Sequence, residues 1–174
     1  MRIVSDQGQF IVQTVLTTAS KTVGVRSIRP APPDRWHGSI HTLPPVDGPR
    51  HVERTRVAWV DTDAGGRIHF TAAFRWAEAA ETALGRSLGL LDDWSDLPRR
   101  AVEAEYLHVL RFEDEIEVEL RPERLGDTSV TYAWEIRRDG EVCIRGRHTA
   151  VHVGPDGRPA PLPERMREAL SRPS

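Results

Sequence analysis

The stretch from Phe70 to Leu84 limits what this chain can become more than any other. Ten of its fifteen residues are apolar, most of them alanine. Read at helical spacing, Phe70, Ala73, Phe74, Ala77, Ala80 and Leu84 form one stripe, with Ala72, Trp76, Ala79 and Ala83 beside it. A helix that is apolar around most of its circumference is buried, not laid on a surface. Its small side chains would let a sheet approach closely, and Gly85 is predicted to cap its C-terminus.

The remainder of the chain supplies that sheet. Arg54 to Val60 reads as a strand ending at the turn-rich Asp61-Thr62-Asp63-Ala64-Gly65-Gly66. Ile116, Val118 and Leu120 alternate with charged residues, and Val130, Tyr132, Trp134 and Ile136 repeat the alternation, the pattern of half-buried strands. Asp139-Gly140 is a hairpin signal. Apolar parity changes between Val142/Ile144 and Val151/Val153, which predicts a bulge near Gly146. Val102 to Leu110 is a further strand, and Leu162-Pro163-Glu164 opens a short helix running to about Leu170. The fold class expected is α+β: an antiparallel sheet wrapped around one long central helix.

Length and composition fix the setting. The 174 residues amount to one domain with a core large enough to need no disulfide or structural metal. Residues 1–50 hold two proline clusters and no hydrophobic periodicity, so they read as a poorly organised N-terminal extension to a folded domain at 51–174. There are 24 basic and 26 acidic residues, and the first fifty carry six basic against three acidic, leaving 18 against 23 in the domain. That balance argues against nucleic acid as a partner, since such a partner demands a basic face. The longest apolar runs are a few residues, which argues against a membrane span, and the first twenty residues lack the continuous apolar stretch of a secretory signal. Cys143 is the single cysteine, so no disulfide framework or CxxC site is available. The expected location is a reducing compartment, the cytoplasm.

The segment Val60-Asp61-Thr62-Asp63-Ala64-Gly65-Gly66-Arg67-Ile68-His69-Phe70, followed by Phe74-Arg75-Trp76-Ala77-Glu78, resembles the hotdog-fold acyl-CoA thioesterases of the 4-hydroxybenzoyl-CoA thioesterase type. Phe112-Glu113-Asp114-Glu115-Ile116 and Arg158-Pro159-Ala160-Pro161-Leu162-Pro163 extend the likeness, which spans about residues 53–170. The resemblance implies hydrolysis of an acyl-CoA or acyl carrier protein thioester, with no metal and no cofactor beyond the coenzyme A of the substrate. It places the nucleophile or general base on Asp63 and a carbonyl-polarising donor on the backbone N–H of Phe70. Gly65 and Gly66 let the backbone turn and approach the substrate. Some relatives in the resembled family carry His or Tyr at the position of Phe70, whereas His69 stands one place earlier; assistance by His69, through orientation or proton transfer, is a further expectation. The resemblance also implies a homodimer, often paired into a homotetramer.

The bland readings are equally specific. Asp63 alone would be a turn cap, Asp61 a structural neighbour, and Glu78 a partner for a neighbouring strand or a dimer contact. Phe70, Phe74, Trp76 and Tyr106 fit a core better than an aryl pocket. Gly85-Arg86-Ser87-Leu88-Gly89 matches G-x-S-x-G, but follows a helix where a nucleophile elbow needs a strand before it. His148 and His152 stand about 13 Å apart on a strand and cannot share a metal, and Cys143 is placed for packing. Two other readings stay open: a hotdog hydratase or dehydratase, disfavoured by the spacing from Asp63 to His69, and a non-catalytic acyl-thioester-binding domain.

Overall fold

The computed structural model describes residues 2–6, 9–14, 46–93 and 97–173, the first two stretches by their backbone alone. In chain order the elements are β1 (Arg2–Asp6), β2 (Gln9–Thr14), β3 (His51–Arg56), α1 (Ala72–Ser87), β4 (Arg99–Tyr106), β5 (Glu115–Leu125), β6 (Ser129–Arg138), β7 (Glu141–Val151) and α2 (Glu164–Ser171). The strands make one antiparallel sheet in the order β1-β2-β4-β7-β6-β5-β3. β3 and β4, which flank α1 in sequence, lie on opposite sides of the β7-β6-β5 centre, so α1 crosses the sheet between them.

The pleat decides what faces α1. Ile116, Val118 and Leu120 of β5 are buried, as are Tyr132, Trp134 and Ile136 of β6. They meet Ala73, Trp76, Ala77, Ala80 and Leu84 of the helix in one core. The opposite face of the sheet is charged, with ion pairs across neighbouring strands such as Arg54–Glu117 at 2.9 Å and Arg145–Glu105 at 2.6 Å. α2 buries Met166 and Leu170 beside β5, as the Leu162-Pro163-Glu164 signal implies.

Several details depart from the sequence reading: the strand expected over Arg54–Val60 lies at His51–Arg56, with a 3-10 turn at Trp59–Asp61, and the one expected over Val102–Leu110 runs Arg99–Tyr106. The helix begins at Ala72, with Phe70 and Thr71 in the preceding turn. Its C-terminus lies at Ser87, and Gly85 is an interior, buried residue; Gly89, at φ +68°, follows the cap. Leu90 N–H donates to Gly85 O at 2.8 Å and Gly89 N–H to Arg86 O at 3.1 Å, the paired bonds of a Schellman stop. The irregularity in β7 falls at Cys143, since Ile144 pairs with Ile136 and Val142 with Arg137. Gly146 instead stays in register opposite Trp134, because a Cβ there would fall 2.3 Å from the indole. Apart from these, β1 and β2 fall within residues 1–50, and β2 pairs with β4. Nearer the domain, Val46 N–H donates to Glu123 O at 2.9 Å, and Gly48 packs against Pro122 and the Leu170 carbonyl.

Beneath α1 the core holds charge. Glu81 is fully buried, and its carboxylate receives Arg99 Nη2 at 2.5 Å and Arg99 Nη1 at 3.1 Å. His148 Nε2 lies 2.7 Å from the same carboxylate. The neighbouring Tyr132 phenol is pushed well above the ordinary tyrosine value, first by burial and then by the charge of Glu81.

Candidate active site

Residues 61–69 form a short two-stranded ribbon leading into α1. Thr62 and Ile68 bridge in antiparallel fashion, with Asp63 N–H donating to Arg67 O at 2.8 Å and His69 N–H to Asp61 O at 2.7 Å. Ala64, Gly65 and Gly66 are the loop. Gly66 sits at φ +70°, a left-handed conformation that a side chain would strain, and Gly66 N–H donates to Asp63 O at 3.0 Å. The Asp-Thr-Asp-Ala-Gly-Gly signature is therefore, at the first level, the recipe for a three-residue turn.

Asp63 is exposed on this ribbon. Its Oδ1 accepts Gly65 N–H at 2.8 Å, which is the turn-capping role that aspartate often takes. A Cβ on Gly65 would stand 3.0 Å from that oxygen, so the glycine also leaves room for the carboxylate. Among the described residues nothing donates to Oδ2, which leaves one oxygen of Asp63 for other work.

Asp61 has a different fate. It is buried, with Oδ2 accepting Ala58 N–H at 3.0 Å and Oδ1 accepting Arg75 Nη2 at 2.5 Å. These are internal bonds, as expected of a structural neighbour. Glu78 points outward, and its oxygen is 3.7 Å from Arg99 of β4, matching the strand-partner reading.

Phe70 precedes the first helical residue, and its N–H finds no acceptor among the described residues. Its carbonyl is pinned, because Tyr106 Oη donates to Phe70 O. Burial pushes the Tyr106 phenol above its ordinary value, so it remains a donor. Sequence reasoning had Tyr106 as a core residue and missed this anchor across 36 residues. Tyr106→Phe is expected to cost about 1 kcal/mol, the net worth of one hydrogen bond; an unfolding midpoint in denaturant equal to wild type would contradict it.

The Phe112-Glu113-Asp114 segment supports the ribbon from below. Asp114 Oδ2 accepts Arg111 N–H at 2.7 Å and Arg138 Nη1 at 2.9 Å, and the latter raises the Arg138 guanidinium further. This fixes the loop whose Leu110 carbonyl accepts Ile68 N–H at 3.1 Å. Trp59 and Phe112 stand edge to face at the rim, 5.6 Å between centroids, with Trp59 75% exposed. Phe74 packs edge-on to Trp134 and Trp76 is buried, so both belong to the core.

Other sequence candidates do not join this site. Ser87 lies in the last turn of α1 and spends its hydroxyl on Leu84 O at 2.7 Å. His148 bonds to Glu81, whereas His152 Nδ1 stands 3.2 Å from Ala160 O. Cys143 is buried, and burial pushes its thiol up. Among the described residues no group of three His, Cys, Asp or Glu is placed to hold a metal ion.

Residues 57–170 match the family described as the thioesterase-like superfamily. A 1,4-dihydroxy-2-naphthoyl-CoA hydrolase of Synechococcus sp. (strain RCC307) is 32% identical over 127 residues, covering 63% of this chain and 92% of the relative. A thioesterase from Thermus thermophilus solved in complex with coenzyme A and Zn superimposes with a TM-score of 0.65 at 26% identity, covering 72% of this chain and 99% of that one. A 1,4-dihydroxy-2-naphthoyl-CoA thioesterase from Synechocystis gives a TM-score of 0.65 over 70% of this chain and 96% of its own; at 19% identity it speaks for the fold alone.

Proposed function

Since the chain belongs to the thioesterase-like superfamily, we propose that it hydrolyses an acyl-CoA thioester to the free acid and the thiol, with Asp63 as the acting carboxylate. The names of its relatives support the reaction class. The observation that carries the site is that, among the described residues, one oxygen of Asp63 on the ribbon and the Phe70 N–H just beyond it are both without an internal partner.

The chemistry asks for little more. A thioester carbonyl is activated, so one donor at its oxygen and one carboxylate at its carbon suffice. Phe70 N–H, held by the Tyr106 anchor and lying just before the positive end of α1, would take the charge that develops on the carbonyl oxygen. Asp63 would attack the carbonyl carbon or take a proton from the attacking water. Gly65 and Gly66 would let the substrate reach both. In this reading α1 is the central helix of a hotdog fold at 51–174, residues 1–50 are an extension to it, and the protein works in the cytoplasm as a homodimer or homotetramer.

Thiol release from a panel of aryl-, short-chain and long-chain acyl-CoAs, with a carrier-protein thioester alongside, tests the activity. The expected result is stoichiometric acid and thiol from at least one member. Tight binding with no thiol release across the panel would contradict it and point to a binding domain. Ser87→Ala is expected to retain hydrolysis, and a fluorophosphonate to leave no adduct on Ser87. A loss beyond tenfold, about 1.4 kcal/mol of barrier, with the fold intact would instead make Ser87 part of the chemistry.

A further inference from the structure

His69 is exposed, yet its ring is held from behind. Thr71 N–H donates to His69 Nδ1 at 3.3 Å, and Thr71 Oγ1 lies 2.7 Å from the same nitrogen. A ring nitrogen that accepts from a backbone N–H presents a lone pair, so the Thr71 hydroxyl is the donor in the shorter contact. The hydrogen of the neutral imidazole then resides on Nε2. Thr71 Oγ1 in turn accepts Arg75 Nη1 at 3.2 Å, and Arg75 Nη2 donates to the buried Asp61. Arg75, held by Asp61, can only donate, so Thr71 Oγ1 accepts from it and turns its own hydrogen toward His69 Nδ1.

The ribbon pleat adds the second constraint. With Thr62 opposite Ile68, Asp61 is opposite His69 and Asp63 is opposite Arg67. Alternation then projects Asp63 and His69 from the same side of the ribbon, as diagonal neighbours about 7–8 Å apart. That gap suits one reacting group held between them. The relay leaves Nε2–H as the ring's remaining polar group, on the side where Asp63 acts.

We propose that His69 donates a hydrogen bond from Nε2 to the sulfur of the departing thiol, and that Thr71 and Arg75 are positioning residues that fix its tautomer. This rests on the thioesterase reading. When the tetrahedral intermediate collapses, the carbon–sulfur bond breaks and its electron pair passes to sulfur. His69 keeps its proton and stabilises that charge; the thiolate takes a proton from solvent after it leaves.

The test uses one acyl group, chosen from the acyl-CoA panel, carried by two thiols: coenzyme A, and thiophenol, whose thiolate leaves without help. His69→Ala is expected to lower kcat on the CoA ester about tenfold or more, the scale of a hydrogen bond to a charged group. On the thiophenyl ester the loss shrinks. His69→Gln, which places an amide N–H near the position of Nε2, recovers part of the CoA-ester rate. Thr71→Val repeats the leaving-group dependence in weaker form, and Thr71→Ser restores the wild-type pattern. Equal losses on both esters, or no loss on either, overturn the proposal, because a merely structural role would not sense the thiol. A wild-type protein inactive on both esters removes the thioesterase reading itself, and this inference with it.

Discussion

Glu81→Ala is expected to destabilise the protein by about 3–5 kcal/mol, the cost of breaking a buried ion pair from one side. Glu81 is fully buried, and its carboxylate is the acceptor that both Arg99 and His148 use. Removing it leaves the buried His148 without that partner and opens a hole under α1. Arg99, about a quarter exposed, can turn toward water and limits the damage. The neighbouring Glu78 offers the control: it is largely exposed, 3.7 Å from Arg99, so Glu78→Ala should stay within about 0.5 kcal/mol. Replacing Glu81, Arg99 and His148 together with leucine or methionine should recover much of the loss, because apolar substitutes carry no desolvation cost. Urea unfolding of these variants checks the account; a Glu81→Ala protein within about 1 kcal/mol of wild type would contradict it.

The architecture was legible because its determinants are local and periodic. Alternation in β5 and β6 marked the buried face residue by residue, and the alanine-rich run marked α1 as interior. What failed was punctuation. Gly85 and Gly89 both follow apolar turns, and only the chain's path to the buried Leu90 decides that Gly89 takes the left-handed position. The change of apolar parity along β7 predicts a bulge near Gly146. Instead that glycine makes room for Trp134, a contact between strands that no single-strand pattern carries. Glu81 did leave a readable trace, since it falls four residues after Ala77 and three before Leu84 on the buried stripe. A charge there asks for a buried partner, and His148 sits on the inward-facing positions of β7.

The site was legible in part for a different reason. The candidates Asp63, Gly65, Gly66 and Phe70 stand in one short contiguous block, which folds as a turn with two arms followed directly by the turn into α1. Tyr106 and Arg75 could not be found that way. Tyr106 reaches Phe70 from β4, and Arg75 reads as an exposed helix residue until its two nitrogens are seen on Thr71 and Asp61. Such residues act through others, and their spacing in the chain carries no signature.

Asp63→Asn is the substitution on which the functional account turns. Asparagine keeps the size of the side chain and an oxygen for Gly65 N–H, so the turn at 63–66 should persist. What it removes is the basic or nucleophilic oxygen. Loss of a positioned general base costs about 100-fold or more in turnover, equivalent to roughly 2.7 kcal/mol of barrier. Asp61→Asn should do much less to turnover, since both Asp61 oxygens already have partners, in Ala58 N–H and Arg75. Single turnover in heavy-oxygen water separates the two routes: direct attack places the isotope in the Asp63 carboxylate, and attack by water does not. The deciding measurement is kcat of Asp63→Asn on the best acyl-CoA, with substrate binding followed in parallel. The account predicts retained binding and a loss of about 100-fold or more; turnover at the wild-type rate would contradict it.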